Sequence, residues 1–228
     1  MEILPLEKTN YSGSTRDYIY NVIKRKIINL ELKPGTKISE KQISEVLEVS
    51  RTPIREAFLQ LSQEDLIQVY PQSGTIVSLI DLAQVEEARF VRESLEVGIV
   101  GLACEKMSID SLIHLEANVA MQEKCDKSSN QQKLLELDDE FHRLLFEGTD
   151  KLKTWKMIQQ MNAHFNRLRL LRLSSVLNWD IIISQHKEIF SLITNKNLEQ
   201  AQFIIQEHLR LAVIEKSLLK KQYPDYFK

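Results

Sequence analysis

Four side chains in the C-terminal half of the chain have the types and spacing of a transition-metal site. Asp138 and His142 are four residues apart, so both project from one face of a helix. His186 and His208 lie at equal distances on either side of Asn197, so an antiparallel helical hairpin that turns there brings them to the same level. A lone histidine is more often a core or surface residue than a ligand. Three imidazoles and a carboxylate together predict a divalent metal site, with zinc favoured and manganese or nickel as alternatives.

Helices must position these four residues, and the chain after residue 81 predicts helices throughout. No proline occurs between residues 82 and 221, and apolar residues recur there with a helical period. Turn signals divide the segment into candidate helices at about 82–106, 108–125, 131–148, 151–173, 180–194 and 197–221. The pattern predicts an all-α bundle.

Residues 36–78 have the element order of a winged helix-turn-helix. Either Ser50 or Thr52 can cap the second helix of this motif. Arg51 and Arg55 are four residues apart and share the face opposite its apolar stripe. Two arginines and a threonine at the start of a second helix are what contact with a DNA major groove requires.

A hairpin is predicted after this second helix. Residues 66–70 and 75–77 have the composition of strands, and residues 71–74 between them form a turn signal. Gly74 would let the tip of this wing approach a phosphate backbone or a minor groove. The alternative is a small helical domain with an ordinary hairpin, which the order of elements disfavours.

Composition limits the functional classes. The chain has 228 residues, with 30 Lys and Arg against 32 Asp and Glu, so its formal net charge is −2. Non-specific attraction to phosphate is therefore weak, and DNA binding would depend on a few placed contacts and on dimerisation. There is no apolar run of membrane-spanning length and no signal-peptide core. The two cysteines, Cys104 and Cys125, do not have the number or spacing of a disulfide framework or of a metal site. Together with the lack of membrane and signal-peptide patterns, this predicts a cytoplasmic protein.

The expected fold class is mainly α, with an N-terminal winged helix-turn-helix followed by an all-α helical-bundle effector domain. Its parts are an N-terminal arm at 1–14, a DNA-binding domain at 15–78, a linker at 79–81, a helical effector, metal-binding and dimerisation domain at 82–222, and a tail at 223–228. The final residues of that tail are expected to be loosely held.

Several motifs of the first domain resemble those of the GntR family of bacterial transcription regulators. The resemblance covers about residues 16–77 and is carried by Pro34-Gly35, by the segment 50–57 and by Gly74. Asp65 departs from the family pattern, which usually has glycine before the wing. The resemblance implies contacts with operator DNA at Lys41, Arg51, Thr52, Arg55 and Gly74.

The second domain resembles the FCD effector domain of the FadR-type branch of that family. The resemblance is carried by the segment 91–96, by Asp138-x-x-Phe141-His142, and by the spacing of 22 residues between His186 and His208. In metal-binding members the matching aspartate and histidines hold a divalent metal inside the bundle. Four intact ligands argue against acyl-CoA, which the family's FadR protein binds without this metal site.

A metal held by four ligands can leave positions open for an organic acid. The resemblance implies that Arg92 points toward this pocket, where a guanidinium would suit a carboxylate. The alternative role for Arg92 is an ion pair with Glu96 or Glu93. Further candidates for the pocket lining are Arg169, Arg172 and His164.

Together these features predict a DNA-binding transcription regulator that acts as a homodimer on a pseudo-palindromic operator. A small organic acid bound beside a divalent metal would control its affinity for operator DNA. Three alternatives are a regulator for which the metal is the signal, a metal-dependent enzyme that carries a DNA-binding module, and a dimeric interaction protein. The chain has no HExxH motif and no obvious general base beside the four ligands, so an enzyme is disfavoured.

Overall fold

The computed structural model describes residues 13–70, 74–126, 131–175, 179–214 and 216–228. The chain forms two compact units. The first contains the residues up to Leu82 together with Lys220–Lys228, and the second contains Ala83–Leu219. The arm predicted at residues 1–14 lies outside the described residues except for its last two.

The first unit is a winged helix-turn-helix, as the sequence predicts. Its elements are α1 (Thr15–Ile28), β1 (Lys37–Ile38), α2 (Glu40–Leu47), α3 (Arg51–Gln63), β2 (Ile67–Tyr70) and β3 (Gly74–Val77). Ile19, Ile23 and Ile27 give α1 a buried face at helical spacing, and α3 contributes Ile54 and Phe58 to the same core. The strands are antiparallel in the order β1-β3-β2. The sequence did not predict β1, because two residues are too short for a strand pattern.

The boundaries of the second and third helices follow from local hydrogen bonding. Ser39 caps α2, and its hydroxyl accepts a hydrogen bond from the Gln42 backbone N–H at 3.4 Å. Ser50, in an extended conformation, is the residue before α3, so Thr52 lies inside that helix. Asp65 has a φ of 55°. Glycine adopts this left-handed conformation more easily than aspartate, which gives a physical reason for the glycine usual in the family.

The second unit is helical. Its helices are α4 (Leu82–Lys106), α5 (Ile109–Asp126), α6 (Gln131–Glu147), α7 (Leu152–Gln159), α8 (Ala163–Ser175), α9 (Trp179–Thr194) and α10 (Leu198–Ile214), and α11 (Lys216–Gln222) runs from this unit into the first. Within the described residues, no helix has both the length and the apolarity to cross a membrane.

The prediction of a single helix at 151–173 is wrong, because the chain forms two helices there, α7 and α8. The last turn of α7 tightens, with the Met161 N–H bonded to the Ile158 carbonyl three residues earlier. Ile158 and Phe165 are both buried, and they are seven residues apart. The apolar pattern therefore stays in phase across the break, and periodicity alone does not reveal it.

The final residues are ordered, so the expectation of a loosely held tail is wrong. Ile80, just after the wing, pairs in parallel with Phe227, and both side chains are buried. The Ile80 N–H donates to the Tyr226 carbonyl at 2.7 Å, and the Lys228 N–H donates to the Ile80 carbonyl at 3.0 Å. The Lys228 ammonium also lies 3.1 Å from the Asp81 carboxylate. One paired residue on each side is too little for a sequence pattern to show.

Replacing Phe227 with alanine should release this tail. Loss of a buried phenylalanine costs about 3 kcal/mol or more. Because the Ile80 N–H is protected by the tail, its hydrogen exchange should become roughly 100-fold faster if it exchanges by local opening. Exchange measured by NMR on the full chain tests this. The exposed Asp225→Ala is the control, and equal exchange rates in the two variants would contradict the packing role of Phe227.

Candidate metal centre and nucleic-acid interface

Asp138, His142, His186 and His208 converge in the interior of the second unit. All four are buried, and one ligand atom from each lies within 4.8 Å of the others. The Nε2 atoms of His186 and His208 are 3.3 Å apart, as are those of His208 and His142. Oδ2 of Asp138 lies 3.7 Å from Nε2 of His142. The four side chains singled out in the sequence therefore form one cluster.

Three helices supply these side chains in the predicted way. Asp138 and His142 lie one turn apart on α6, while His186 lies on α9 and His208 on α10. The turn between α9 and α10 falls at residues 195–197, as predicted. The ring of Phe141 stacks on His186 with centroids 4.0 Å apart, which fixes the plane of that imidazole.

Each imidazole of the cluster also faces a hydrogen-bond acceptor on its outer side, at Nδ1. The pairs are His142 with Glu96 Oε2 at 2.5 Å, His186 with Gln122 Oε1 at 2.8 Å, and His208 with Gln185 Oε1 at 3.1 Å. A ring nitrogen that donates to such an acceptor carries the proton, which leaves the lone pair on Nε2. The outer contacts thus direct three lone pairs toward one another.

A buried hydrogen-bond chain fixes the orientation of Gln122. The Asn118 amide donates to the Leu137 carbonyl at 3.0 Å, so the Asn118 oxygen is left to accept. The Gln122 amide nitrogen donates to that oxygen at 2.7 Å, which turns Gln122 Oε1 toward His186. His186 therefore carries its proton on Nδ1.

Glu96 is the charged member of the outer contacts. Its side chain is fully buried, and its Oε1 accepts a hydrogen bond from Nε of Arg92 at 2.6 Å. Burial by itself would raise the pKa of Glu96, but Arg92 and His142 outweigh it and lower that pKa to about 2. Glu96 is thus a carboxylate, which can only accept. Its Oε2 lies 2.5 Å from Nδ1 of His142, outside the alignment of a regular hydrogen bond, and a carboxylate so close favours the tautomer with the proton on Nδ1.

Electrostatics keep the cluster in the protonation states that a metal site needs. Burial disfavours the ionised Asp138, yet the Arg169 guanidinium at 2.5 Å and the nearby imidazoles hold its pKa below the usual range. Burial lowers the pKa of His186 to about 3, and it also lowers the pKa of His208. At neutral pH both imidazoles are therefore uncharged, and the carboxylate is ionised.

A cavity of about 20 Å³ adjoins the cluster. It is lined by Arg92, Asp138, His142, Phe165, Arg169, Arg172, Ile182, His208 and Leu209. Nη2 of Arg92 is buried and has no hydrogen-bond partner among the described residues. Its guanidinium lies 5.1 Å from the centre of the Phe165 ring. This face of the cavity is therefore cationic, with one donor of Arg92 uncommitted.

Three of the four residues predicted to line the cavity do so, and the fourth does not. Arg92, Arg169 and Arg172 line the cavity. His164 does not belong to its lining, and its Nδ1 instead lies 3.0 Å from Nη2 of the buried Arg167. Both roles weighed for Arg92 occur together, because the same guanidinium pairs with Glu96 and lines the cavity.

The outer residues Glu96, Gln122 and Gln185 were missed by sequence reasoning as parts of this centre. Glu96 carries a usable signal, since it lies one helical turn from Arg92 and each of its oxygens has a different partner. The two glutamines lie on other helices, and no sequence spacing relates them to their histidines.

The predicted DNA-contacting residues lie on exposed parts of the first unit. Arg51, Thr52 and Arg55 occupy the start of α3, and Lys41 lies in the first turn of α2. Nε of Arg55 pairs with the Glu40 carboxylate of α2 at 2.9 Å, so this acidic neighbour orients the guanidinium. That ion pair also was not predicted.

Gly74 begins the second strand of the wing with a φ of 103°. No atom lies within 4 Å of the position that a Cβ would occupy there. The backbone conformation, rather than crowding, therefore favours glycine at this position. The predicted turn at residues 71–73 lies outside the described residues.

Comparison with known proteins agrees with this geometry. Residues 15–77 match the family of "Bacterial regulatory proteins, gntR family", and residues 87–211 match the "FCD domain" family. The "HTH-type transcriptional repressor RspR" of Escherichia coli (strain K12) is 30% identical over 218 residues, which are 96% of each chain. The chain belongs to the GntR family. Its helical unit is an FCD domain, as in the FadR-type branch.

Two solved structures share the fold of this GntR-family protein. E. coli McbR/YncC superposes with a TM-score of 0.76 over 92% of this chain and 99% of its own, at 21% identity. A putative GntR regulator from Rhodococcus sp. RHA1 gives 0.73 over 92% and 100%, at 18% identity. The predicted fold class and family are confirmed. So is the prediction of a DNA-binding transcription regulator rather than an enzyme.

Replacing Arg169 with methionine should destabilise the helical unit. The buried Asp138 carboxylate would lose its cation, and breaking a buried pair costs about 3–5 kcal/mol. Urea unfolding in the presence of a chelator, followed by the fluorescence of the two tryptophans in this unit, measures the loss. Lys133→Met, which breaks an exposed pair with Glu136, is the control and should cost less than about 1 kcal/mol. Equal stabilities would contradict the role given to Arg169.

Proposed function

We propose that this GntR-family regulator holds a divalent metal ion in its FCD domain and binds a small carboxylate beside that ion. Binding of the carboxylate would change the affinity of the winged unit for operator DNA. The observation that carries the proposal is the convergence of three imidazole Nε2 atoms and one carboxylate in a buried site. Asp138, His142, His186 and His208 would be the metal ligands.

The donor set fits a metal ion for an electrostatic reason. With protons fixed on Nδ1, the Nε2 lone pairs of the uncharged His186 and His208 face each other at 3.3 Å, an arrangement that a cation between them stabilises. Tetrahedral zinc with Zn–N bonds of about 2.0–2.1 Å separates its ligand nitrogens by about 3.3 Å, so zinc is the favoured ion. Manganese and nickel also accept these ligands. A bound metal would supply an electrophilic coordination position for a ligand oxygen.

The cavity supports a carboxylate as the organic ligand. Three guanidinium groups line it, from Arg92, Arg169 and Arg172. Arg92 pairs with Glu96 and Arg169 pairs with Asp138, and Nη2 of Arg92 still has no hydrogen-bond partner among the described residues. A buried donor without a partner is costly, and a carboxylate oxygen would satisfy it. Arg92 is therefore the main effector-binding residue, with Arg169 and Arg172 in support, while His164 would contribute only indirectly.

On the DNA side, a homodimer would place two copies of α3 in successive major grooves of a pseudo-palindromic operator. Arg51, Thr52 and Arg55 would contact base edges and phosphates from this helix. Lys41 would contact phosphate from α2, and Gly74 would bring the wing toward the minor groove. Such a protein would act in the cytoplasm, where operator DNA is found.

A second candidate function is a regulator for which the metal itself is the signal. The size of the cavity favours it, because about 20 Å³ is room for one water-sized group. An organic acid larger than that must displace side chains when it binds. Titration of operator binding with zinc in the absence of any carboxylate separates the two candidates, since a metal sensor responds to zinc alone.

Loss of Arg51 or of Arg55 should weaken specific DNA binding. The operator is first selected from genomic fragments with the purified protein, and binding is then measured by fluorescence anisotropy. Arg51→Ala or Arg55→Ala should weaken operator binding about 10- to 100-fold, as expected for one base-contacting arginine. Arg143→Ala makes the same charge change in the helical unit and serves as the control. If all three variants bind operator as the native protein does, α3 is not the recognition helix.

The purified protein should contain one zinc per chain after exposure to zinc and desalting. His208→Ala removes one ligand from the cluster, and its zinc content should fall close to zero. Elemental analysis by mass spectrometry provides the measurement. His114→Ala, at an exposed position of α5, is the matched control and should keep its zinc. Metal-free native protein after this treatment, or equal zinc in both variants, would refute the metal site.

A further inference from the structure

A continuous line of contacts joins the cavity to one ligand of the proposed metal. Arg92 lines the cavity and donates from Nε to Oε1 of Glu96 at 2.6 Å. The other oxygen of Glu96, Oε2, lies 2.5 Å from Nδ1 of His142. All three side chains are at most 1% exposed. His142, like Asp138 and His208, also borders the cavity. Glu96 therefore joins an arginine of the cavity to a proposed metal ligand, with one oxygen toward each.

Glu96 differs in this respect from the other outer acceptors. His186 and His208 face the neutral amide oxygens of Gln122 and Gln185. The Gln122 amide is engaged with Asn118, which is not part of the cavity lining. Only for His142, among the three pairs, does the described contact continue to an arginine of the cavity.

We propose that Glu96 is a positioning residue that couples anion binding in the cavity to metal binding at the cluster. This inference rests on the proposed function, since it assumes a metal at the four ligands and an anion beside Arg92. The carboxylate holds Arg92 so that Nη2 faces the cavity, and it holds His142 so that Nε2 faces the metal. A Glu96 conformation that serves one site also serves the other. Occupation of either site restrains that conformation, so each ligand binds more tightly in the presence of the other.

Direct electrostatic attraction between the anion and the metal ion would also make each bind more tightly in the presence of the other. A variant must therefore separate this attraction from coupling through Glu96. Glu96→Gln removes a buried negative charge, which leaves the cavity and the metal site more positive. If direct attraction alone linked the sites, the anion would still promote metal binding in this variant. If Glu96 couples them, the anion effect falls to the part that direct attraction supplies, because the amide replaces one carboxylate oxygen by an NH2 group and can no longer accept on both sides, from Arg92 and toward His142.

The test measures the zinc affinity of the full-length protein with and without acetate, at constant ionic strength and with free zinc set by a competing chelator. Acetate is a small carboxylate probe. In the native protein we expect acetate to tighten zinc binding about fivefold or more, the usual range of coupling between sites. In Glu96→Gln we expect zinc binding about 10- to 100-fold weaker, as for loss of an outer contact to a ligand, with a tightening by acetate well below the native factor.

Gln185→Leu is the matched control, because it removes the outer acceptor of His208 without touching Arg92. Its zinc affinity should also fall, but acetate should still tighten zinc binding by the native factor. The inference is overturned if a folded Glu96→Gln keeps the native response to acetate, or if Gln185→Leu loses it. Native protein that binds zinc but does not respond to acetate also overturns it, and leaves the metal site intact. Native protein that binds no zinc instead refutes the proposed function.

A second measurement needs no variant and so does not depend on whether Glu96→Gln folds. In the metal-free native protein labelled with ¹⁵N-histidine, NMR distinguishes a proton on Nδ1 from one on Nε2. We expect His142 as the Nδ1–H form. A His142 ring with its proton on Nε2 would overturn the positioning role of Glu96, whatever the zinc measurements show.

Discussion

The helical unit is organised around polar groups that are removed from water and must satisfy one another. Two carboxylates, four imidazoles, several guanidinium groups and several amides are buried in the bundle beside its apolar core. An isolated buried charge would cost several kcal/mol, so each carboxylate has a guanidinium against it. The Asp138–Arg169 pair joins α6 to α8, and the contact of Glu96 with His142 joins α4 to α6. Burial keeps His186 and His208 uncharged, so that their Nε2 atoms can donate electron pairs.

The winged unit uses charge differently. Its candidate DNA-contacting residues are exposed, and an exposed ion pair such as Arg55 with Glu40 contributes little to stability. Such a pair can still restrict the directions in which the guanidinium points. With a whole-chain formal charge of −2, the affinity for DNA has to come from a few well-placed groups. Operator binding through so few charged groups would depend only moderately on salt concentration.

Much of the fold and of the candidate metal centre could be predicted from the sequence, for identifiable reasons. Asp138 and His142 are related by one helical turn, and His186 and His208 by their distance from one helical turn signal, so short-range geometry was enough. Gln122 meets His186 only through tertiary packing, which no spacing records. The break between α7 and α8 could not be predicted from the sequence, because the apolar residues on either side of it keep the same helical phase. Patterns therefore locate ligands on helices better than they locate the groups that orient those ligands.

The pairing of Ile80 with Phe227 has a consequence for how the protein is made. A segment that the ribosome synthesises some 140 residues after the wing completes the packing beside it. While the helical bundle is still emerging, the buried face of Ile80 has no cover from Phe227. The nascent winged unit thus passes through an incomplete form during translation. A recombinant fragment ending at the wing would retain that form permanently. A bulky fusion joined directly after Lys228 would disturb the pairing of Phe227 with Ile80.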